Sequence, residues 1–198
     1  VAEVQQSTNY YDGLGRLLQS VGKQVSPLKK DLVTPVDYDD FGREQFKYLP
    51  FTSTTASNGG VTNNGLFKPN AFYQQETFYN TYLSGQGQTF YYGYNKFEAS
   101  PLNRVLEQYA AGNNWSGTSN QAAEANRHGV DMRYGVNTVS DNVQMWTVTD
   151  GTPGTFGSYS ATSYIPGELT KIVTEDEHGG ELIEFKDKDG KIILRKVL

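Results

Sequence analysis

One short pattern recurs along this chain and limits what the chain can fold into. An acidic residue is followed three positions later by glycine, usually with a basic residue next. It stands as Tyr11-Asp12-Gly13-Leu14-Gly15-Arg16 and as Tyr38-Asp39-Asp40-Phe41-Gly42-Arg43. It returns in altered form as Ser100-Pro101-Leu102-Asn103-Arg104, and then as Asp176-Glu177-His178-Gly179 and Asp187-Lys188-Asp189-Gly190-Lys191. Aspartate suits the first position of a type I turn, because its carboxylate accepts a hydrogen bond from the backbone two residues on. Glycine three positions later suits a left-handed residue. A type I turn closed by such a residue is a common hairpin connection that ends in a bulge. The Ser100 copy keeps this chemistry: serine still accepts, Pro101 pre-sets φ, and Asn103 is the next-best left-handed residue. A chemical site that needed the carboxylate would not survive Ser100. The pattern therefore predicts a repeated structural unit of hairpin tips. Asp12, Gly15, Arg16, Asp39, Gly42, Arg43, Ser100, Asn103, Arg104, Asp176, Gly179, Asp187 and Gly190 are its turn residues.

The arms around these tips complete the expected fold. Residues 1–25 read as strand, tip, strand, and 26–34 as a connection opened by Ser26-Pro27. Residues 35–50 read as a second hairpin bounded by Pro35 and Pro50. Residues 52–65 are rich in Thr, Ser, Asn and Gly, and the turn dipeptides Asn58-Gly59 and Asn64-Gly65 mark an exposed, mobile loop. A helix is expected over 70–83, capped by Asn70, with Ala71, Gln75, Phe78 and Tyr82 along one face and its end near Ser84-Gly85. Two strands flank the Ser100 tip within 88–112, and a polar loop follows over 112–126. Residues 130–149 alternate in strand fashion, and 150–158 read as a loop or hairpin end. Strands at 169–174, 181–186 and 191–198 form a meander whose mixed charges indicate one solvated face. The fold class is thus mainly β, an antiparallel hairpin-repeat sheet or sandwich with one short helix near 70–83. The expected division is a β domain over 1–166 and a meander over 167–198 leading into further repeats.

Composition narrows the function classes. The net charge is −5 and no basic run exists, which argues against nucleic acid as a partner. Aromatic residues make up 13% of the chain, enough to build a core. Cysteine is absent, so neither a disulfide framework nor a thiolate metal site can form. No apolar run is long enough to span a membrane. The chain begins in polar, strand-like sequence and ends inside an expected strand. That pattern suggests a piece of a longer protein, with a signal segment removed before it and repeats continuing after it.

Little in the sequence points to catalysis. There are two histidines, His128 and His178, and the second lies inside a turn motif. Neither a Gly-x-Ser-x-Gly elbow nor a Walker loop occurs. Asp39-Asp40 and Glu175-Asp176-Glu177 imitate a glycosidase carboxylate pair, yet adjacent acids at a turn are normally solvated. Asp187-Lys188-Asp189-Gly190 lacks the spacing of a calcium loop. No cofactor or metal is expected, and the chain is read as a non-enzyme. Arg16, Arg43 and Arg104 are expected to stack on a neighbouring tyrosine or to pair with a carboxylate of the adjacent hairpin. Trp115, flanked by Asn113 and Asn114, is the binding candidate. It either stacks on a sugar ring or partner surface, or folds back and pins its own loop.

The same residues resemble a known family. Tyr-Asp-x-x-Gly-Arg is the hallmark of the YD repeats of Rhs-type proteins. Residues 11–16, 26–31 and 38–50 together look like the domain of unknown function that precedes the YD repeats in bacterial Rhs-repeat proteins. Ser100-Pro101-Leu102-Asn103-Arg104 and Gly167-Glu168-Leu169-Thr170 continue the resemblance, which covers nearly the whole chain and is weakest across 52–66 and 113–126. It implies a structural or assembly domain of a secreted or cell-surface protein, partnered by downstream YD repeats of the same chain. In related shells the repeats coil into a hollow casing around a C-terminal cargo, which this domain would begin or plug. The self-cleaving segment and toxin tips of many Rhs proteins have no counterpart here. The alternative is a module that binds a cell-surface glycan or protein through exposed aromatics.

Overall fold

The structure is a computed structural model that describes residues 4–53, 63–115 and 128–198. It is mainly β, as expected, and its strands pair antiparallel throughout. By its internal contacts the chain divides into two compact units, Val1–Gly129 and Val130–Leu198, so the boundary expected at 166/167 falls within the second unit.

In the first unit, β1 (Gln6–Tyr11) and β2 (Leu17–Lys23) flank the first tip, with a register shift at Tyr10/Tyr11 where the turn adds its extra residue. β3 (Leu32–Pro35) and β5 (Phe51–Thr52) complete a sheet of order β1-β2-β3-β5. Alternation along β2 and β3 turns Val21 and Val33 inward, where they join Phe51 in a core. The helix α1 (Ala71–Tyr82) covers that core with Ala71, Phe78 and Tyr79. A second set of strands, β4 (Phe46–Tyr48), β6 (Tyr92–Phe97) and β7 (Val105–Tyr109), pairs in the order β4-β6-β7. Cross-strand rings stabilise it: Phe46 lies 5.1 Å from Tyr92 and 5.3 Å from Tyr94.

Three expectations change here. The arms of the Asp39 tip do not pair with each other, because β3 pairs with β2 while β4 pairs with β6. The tip is therefore a corner between two sheets, not the end of a hairpin. Asn70 precedes the helix but its side chain caps nothing; its Oδ1 instead accepts a hydrogen bond from Gln74 Nε2 at 2.6 Å. Tyr82 is mostly exposed, and the buried side of the helix is Ala71, Gln74 and Gln75.

The 52–65 segment is only partly a loop. Asn58-Gly59 lies outside the described residues, but Asn63, Asn64 and Gly65 are fixed by a buried polar network. Asp31 is fully buried; its Oδ2 accepts from Lys68 Nζ and from the Gly65 N–H, both at 2.8 Å. Its Oδ1 accepts from the Gln24 N–H at 3.0 Å. Gln19, also buried, binds the Lys68 main chain at both ends, accepting from its N–H at 2.8 Å and donating to its carbonyl at 3.1 Å.

In the second unit, β8 (Gly129–Val136), β11 (Thr170–Glu175), β12 (Glu181–Lys186) and β13 (Ile192–Val197) pair in that order. The last three are the expected meander, and Val143, Leu169 and Phe185 form its core. β9 (Gln144–Thr149) and β10 (Ser158–Ser163) pair only with each other among the described residues.

Candidate functional site

The first two tips share one hydrogen-bond pattern. Asp12 Oδ1 accepts from the N–H groups of Leu14 and Arg16 at 2.8 and 2.9 Å, and Oδ2 accepts from Arg16 Nε at 2.7 Å. Asp39 Oδ1 accepts from Phe41 and Arg43 at 2.9 Å each, and Oδ2 accepts from Arg43 Nε at 2.8 Å. Gly15 and Gly42 take φ of +78° and +76°, the left-handed conformation that the turn requires. Both carboxyls titrate below their ordinary 3.8. For Asp12 the chief cause is the Arg16 N–H. For Asp39 desolvation opposes the shift, and the Arg43 N–H and guanidinium outweigh it.

The third tip keeps the turn but in a longer loop, closed by the Glu98 N–H on Arg104 O at 2.9 Å, where the Asp12 N–H closes the first on Arg16 O at 2.9 Å. Ser100 Oγ accepts from the Leu102 N–H at 3.1 Å, and Asn103 sits at φ +52°. Serine has no second oxygen for the arginine. Glu98 supplies it, taking Arg104 Nε on both oxygens at 2.9 Å and Nη2 on Oε2 at 2.6 Å. The Ser100 hydroxyl also donates to Glu98 Oε1 at 2.7 Å. Sequence reading missed Glu98, although a glutamate two residues before a serine that replaces aspartate is the signal that would have found it.

Arg104 and then the Ser100 hydroxyl lower the Glu98 carboxyl from 4.5 to about 2. Because the folded value lies below the unfolded one, this clamp is complete above pH 4.5 and is lost as pH falls through about 2. A carboxyl-detected NMR titration is expected to place Glu98 at about 2, and Ser100→Ala is expected to raise it. A midpoint near 4.5 would remove the clamp.

The last two tips keep the turn without an arginine. Asp176 Oδ1 accepts from His178 and Gly180 N–H at 2.9 and 2.8 Å, and Asp187 Oδ1 accepts from Asp189 and Lys191 N–H at 2.9 Å each. Gly179 and Gly190 lie at φ +84° and +79°.

The arginines of the first two tips reach forward. The Arg16 guanidinium lies 4.8 Å over the ring of Tyr38, at the second tip. Arg43 lies 4.7 Å over Phe97, and its Nη1 donates to Glu98 O and Asn103 Oδ1 at 3.4 Å each, at the third tip. The expected stacking on tyrosine thus holds for Arg16. The carboxylate partner of each arginine, however, comes from its own tip. Between the second and third tips a cavity of about 530 Å³ is walled by Phe41, Phe97, Ala99 and Pro101. Asp39 neutralises Arg43 at its edge, so this cavity offers apolar walls rather than an anion site.

Trp115 lies apart from the tips. It is 39% exposed, its ring is 4.9 Å from that of His128, and its N–H donates to Gly112 O at 3.1 Å. Asn113 is committed to its own loop: Oδ1 accepts from the Thr89 N–H at 2.7 Å and Nδ2 donates to Gly87 O at 2.7 Å. The Asn114 carbonyl accepts from the His128 N–H at 3.0 Å. Of the acids weighed as glycosidase pairs, Asp39 and Asp176 are occupied by their turns and Glu175 by Arg133 Nη1 at 2.8 Å. Among the described residues no group of three metal-ligating side chains occurs, and no helix is long and apolar enough to cross a membrane.

Fold and tips together define a class: an antiparallel β domain built on recurrent Asp-type turns, two of whose arginines lie on the tip that follows. The chain belongs to DUF6443, a family of domains of unknown function, whose family model matches residues 1–129. That match ends where the first compact unit ends. No curated protein and no solved structure matches the chain.

Proposed function

We propose that this is a non-enzymatic structural domain of a surface or secreted Rhs/YD-repeat protein, and that it starts or caps a shell of β-hairpins. The observation that carries the reading is the forward reach of Arg16 and Arg43, each held by its own aspartate and laid on the next tip. Chemistry spent inside the turns favours stacking over turnover. Repeats of this kind stabilise each other through neighbour contacts, because one hairpin cannot bury its own aromatic face. β13 supports the reading as well: it pairs with β12 on one side and ends its sheet on the other. An open edge of that kind accepts a further strand.

The test is amide exchange on residues 191–198, measured in this chain and in a longer chain carrying further Asp-x-x-Gly hairpins. Added protection of those amides is expected, and equal exchange in both chains would sink the proposal. The glycan alternative draws on Trp115, whose neighbours Asn113 and Asn114 spend hydrogen-bonding groups on the loop itself.

A further inference from the structure

The three arginine-bearing tips share a feature that links each to its neighbour. An aromatic residue stands immediately before the acid that closes each loop: Tyr11 before Asp12, Tyr38 before Asp39 and Phe97 before Glu98. The three acids close their loops alike, the N–H groups of Asp12, Asp39 and Glu98 donating to the carbonyls of Arg16, Arg43 and Arg104 at 2.9 Å each. Tyr38 and Phe97 are half-buried, and each holds the guanidinium of the preceding tip, Arg16 at 4.8 Å and Arg43 at 4.7 Å. The last two tips lack both parts. Glu175 and Lys186 precede Asp176 and Asp187, and Gly180 and Lys191 follow their glycines.

Strand pairing delivers each arginine to its ring. β2 and β3 pair Gln19 with Pro35, and the Val36 N–H donates to Leu18 O at 2.9 Å, so the same register sets Arg16 opposite Tyr38. β4 and β6 pair Phe46 with Tyr94, and the Asn95 N–H donates to Gln45 O at 2.9 Å, so the same register sets Arg43 opposite Phe97. In both cases the arginine that leads into one strand meets the aromatic residue at which its antiparallel neighbour runs out.

Tyr11, which ends β1, is the open seat of this series. It is 58% exposed, and among the described residues no cation lies on its ring. The bare face of its glycine is open as well. A Cβ placed on Gly42 would lie 3.3 Å from Arg16 Nη1, whereas one on Gly15 would meet no atom within 4 Å. β1 ends the order β1-β2-β3-β5, so its outer edge has no partner strand among the described residues. Its sequence, Gln6-Ser7-Thr8-Asn9-Tyr10-Tyr11, holds neither a charge nor a proline to guard that edge.

We infer that the outer edge of β1 receives an antiparallel strand from a partner protein, led in by an Asp-x-x-Gly-Arg turn whose arginine lies on Tyr11. The two occupied seats specify this occupant, since both hold a guanidinium brought by a neighbouring strand. Arginine suits the seat better than lysine, because its planar group stacks on a ring while its own turn's carboxylate holds it. Main-chain hydrogen bonds along the edge supply affinity, and the ring fixes the register. A second copy of the chain does not meet the requirement: its Arg16 and Arg43 already lie on their own rings, and Glu98 binds its Arg104. The choice of a partner protein rests on the shell reading, in which no repeat precedes the first tip.

A synthetic peptide of residues 38–48, which carries Asp39, Gly42, Arg43 and the strand that follows, tests this against the 198-residue chain by NMR. As the peptide is raised to millimolar concentration, the Tyr11 ring and the amides of residues 6–11 are expected to shift together and saturate, with alternate amides gaining protection from exchange. Arg43→Gln in the peptide and Tyr11→Leu in the chain are each expected to weaken binding roughly two- to fivefold. The two changes together are expected to weaken it no further than either alone, because they remove the same contact. Absence of a saturable shift overturns the inference, as does binding indifferent to both changes. A longer chain, with residues ahead of residue 1, that already protects the 6–11 amides and refuses the peptide overturns the partner and assigns the seat to a preceding repeat. Failure here is read at residues 6–11, and failure of the shell reading at residues 191–198, so the two are distinguishable.

Discussion

Lys68→Met is expected to lower the stability of the first unit by about 3–5 kcal/mol, the usual cost of removing one partner from a buried ion pair. Asp31 is fully buried and Lys68 is 5% exposed. Without the ammonium, the carboxylate keeps the Gly65 and Gln24 N–H donors but has no counter-charge. The loss also reaches Asn64, whose Oδ1 accepts from Lys68 Nζ at 3.0 Å. The double variant Asp31→Asn/Lys68→Met removes both charges and is expected to recover part of the loss, since a neutral pair carries no unpaired buried charge. Equilibrium urea unfolding measures both. A single variant within about 1 kcal/mol of the parent would mean that the pair is not buried as described.

The second large effect is expected in the other unit. Phe185→Ala is expected to cost about 3–5 kcal/mol, as aromatic truncations in a packed core do. The ring is fully buried with Val143 and Leu169, and Tyr164, Ile183, Ile193 and Leu194 pack against that cluster. The ammonium groups of Lys171 and Lys196 lie 5.5 and 5.9 Å from its centre, so truncation removes two cation–π contacts as well. Phe185→Leu, which keeps most of the volume, is expected to cost far less. If the alanine variant unfolded at nearly the same denaturant concentration as the parent, Phe185 would not be the centre of this core.

The parts of the fold that were legible in the sequence are the local ones. Asp-x-x-Gly encodes its own geometry within five residues, so the tips at Asp12, Asp39, Asp176 and Asp187 could be read directly, and Ser100 by chemical substitution. The helix was legible because its length and its end near Ser84-Gly85 are local too. What stayed hidden depends on distant partners. Asp31 follows two lysines and reads as a solvated acid; only the return of residues 63–68 buries it. The corner at Asp39 looks like a hairpin until β6 claims β4. Strand β10, Ser-Tyr-Ser-Ala-Thr-Ser, has too little apolar content to announce a strand, and its pairing with β9 decides it. At the candidate site, the aspartate-to-arginine closure is local chemistry, whereas the reach of Arg43 onto Phe97 spans a long stretch of chain.

The third tip also bears on how such turns are recognised in other sequences. Asp12 performs two tasks with one carboxylate, whereas Ser100 and Glu98 share them. Two different spellings, Asp-x-x-Gly-Arg and Glu-x-Ser-Pro-x-Asn-Arg, therefore encode one kind of arginine-closed turn, the second within a longer loop. A search by the first spelling alone overlooks tips written in the second and undercounts the array. Exchange between the spellings is also a coupled event. The serine spelling comes with its glutamate two residues upstream and a longer loop, so a change of aspartate to serine alone, as in Asp12→Ser, is expected to leave the arginine without its carboxylate.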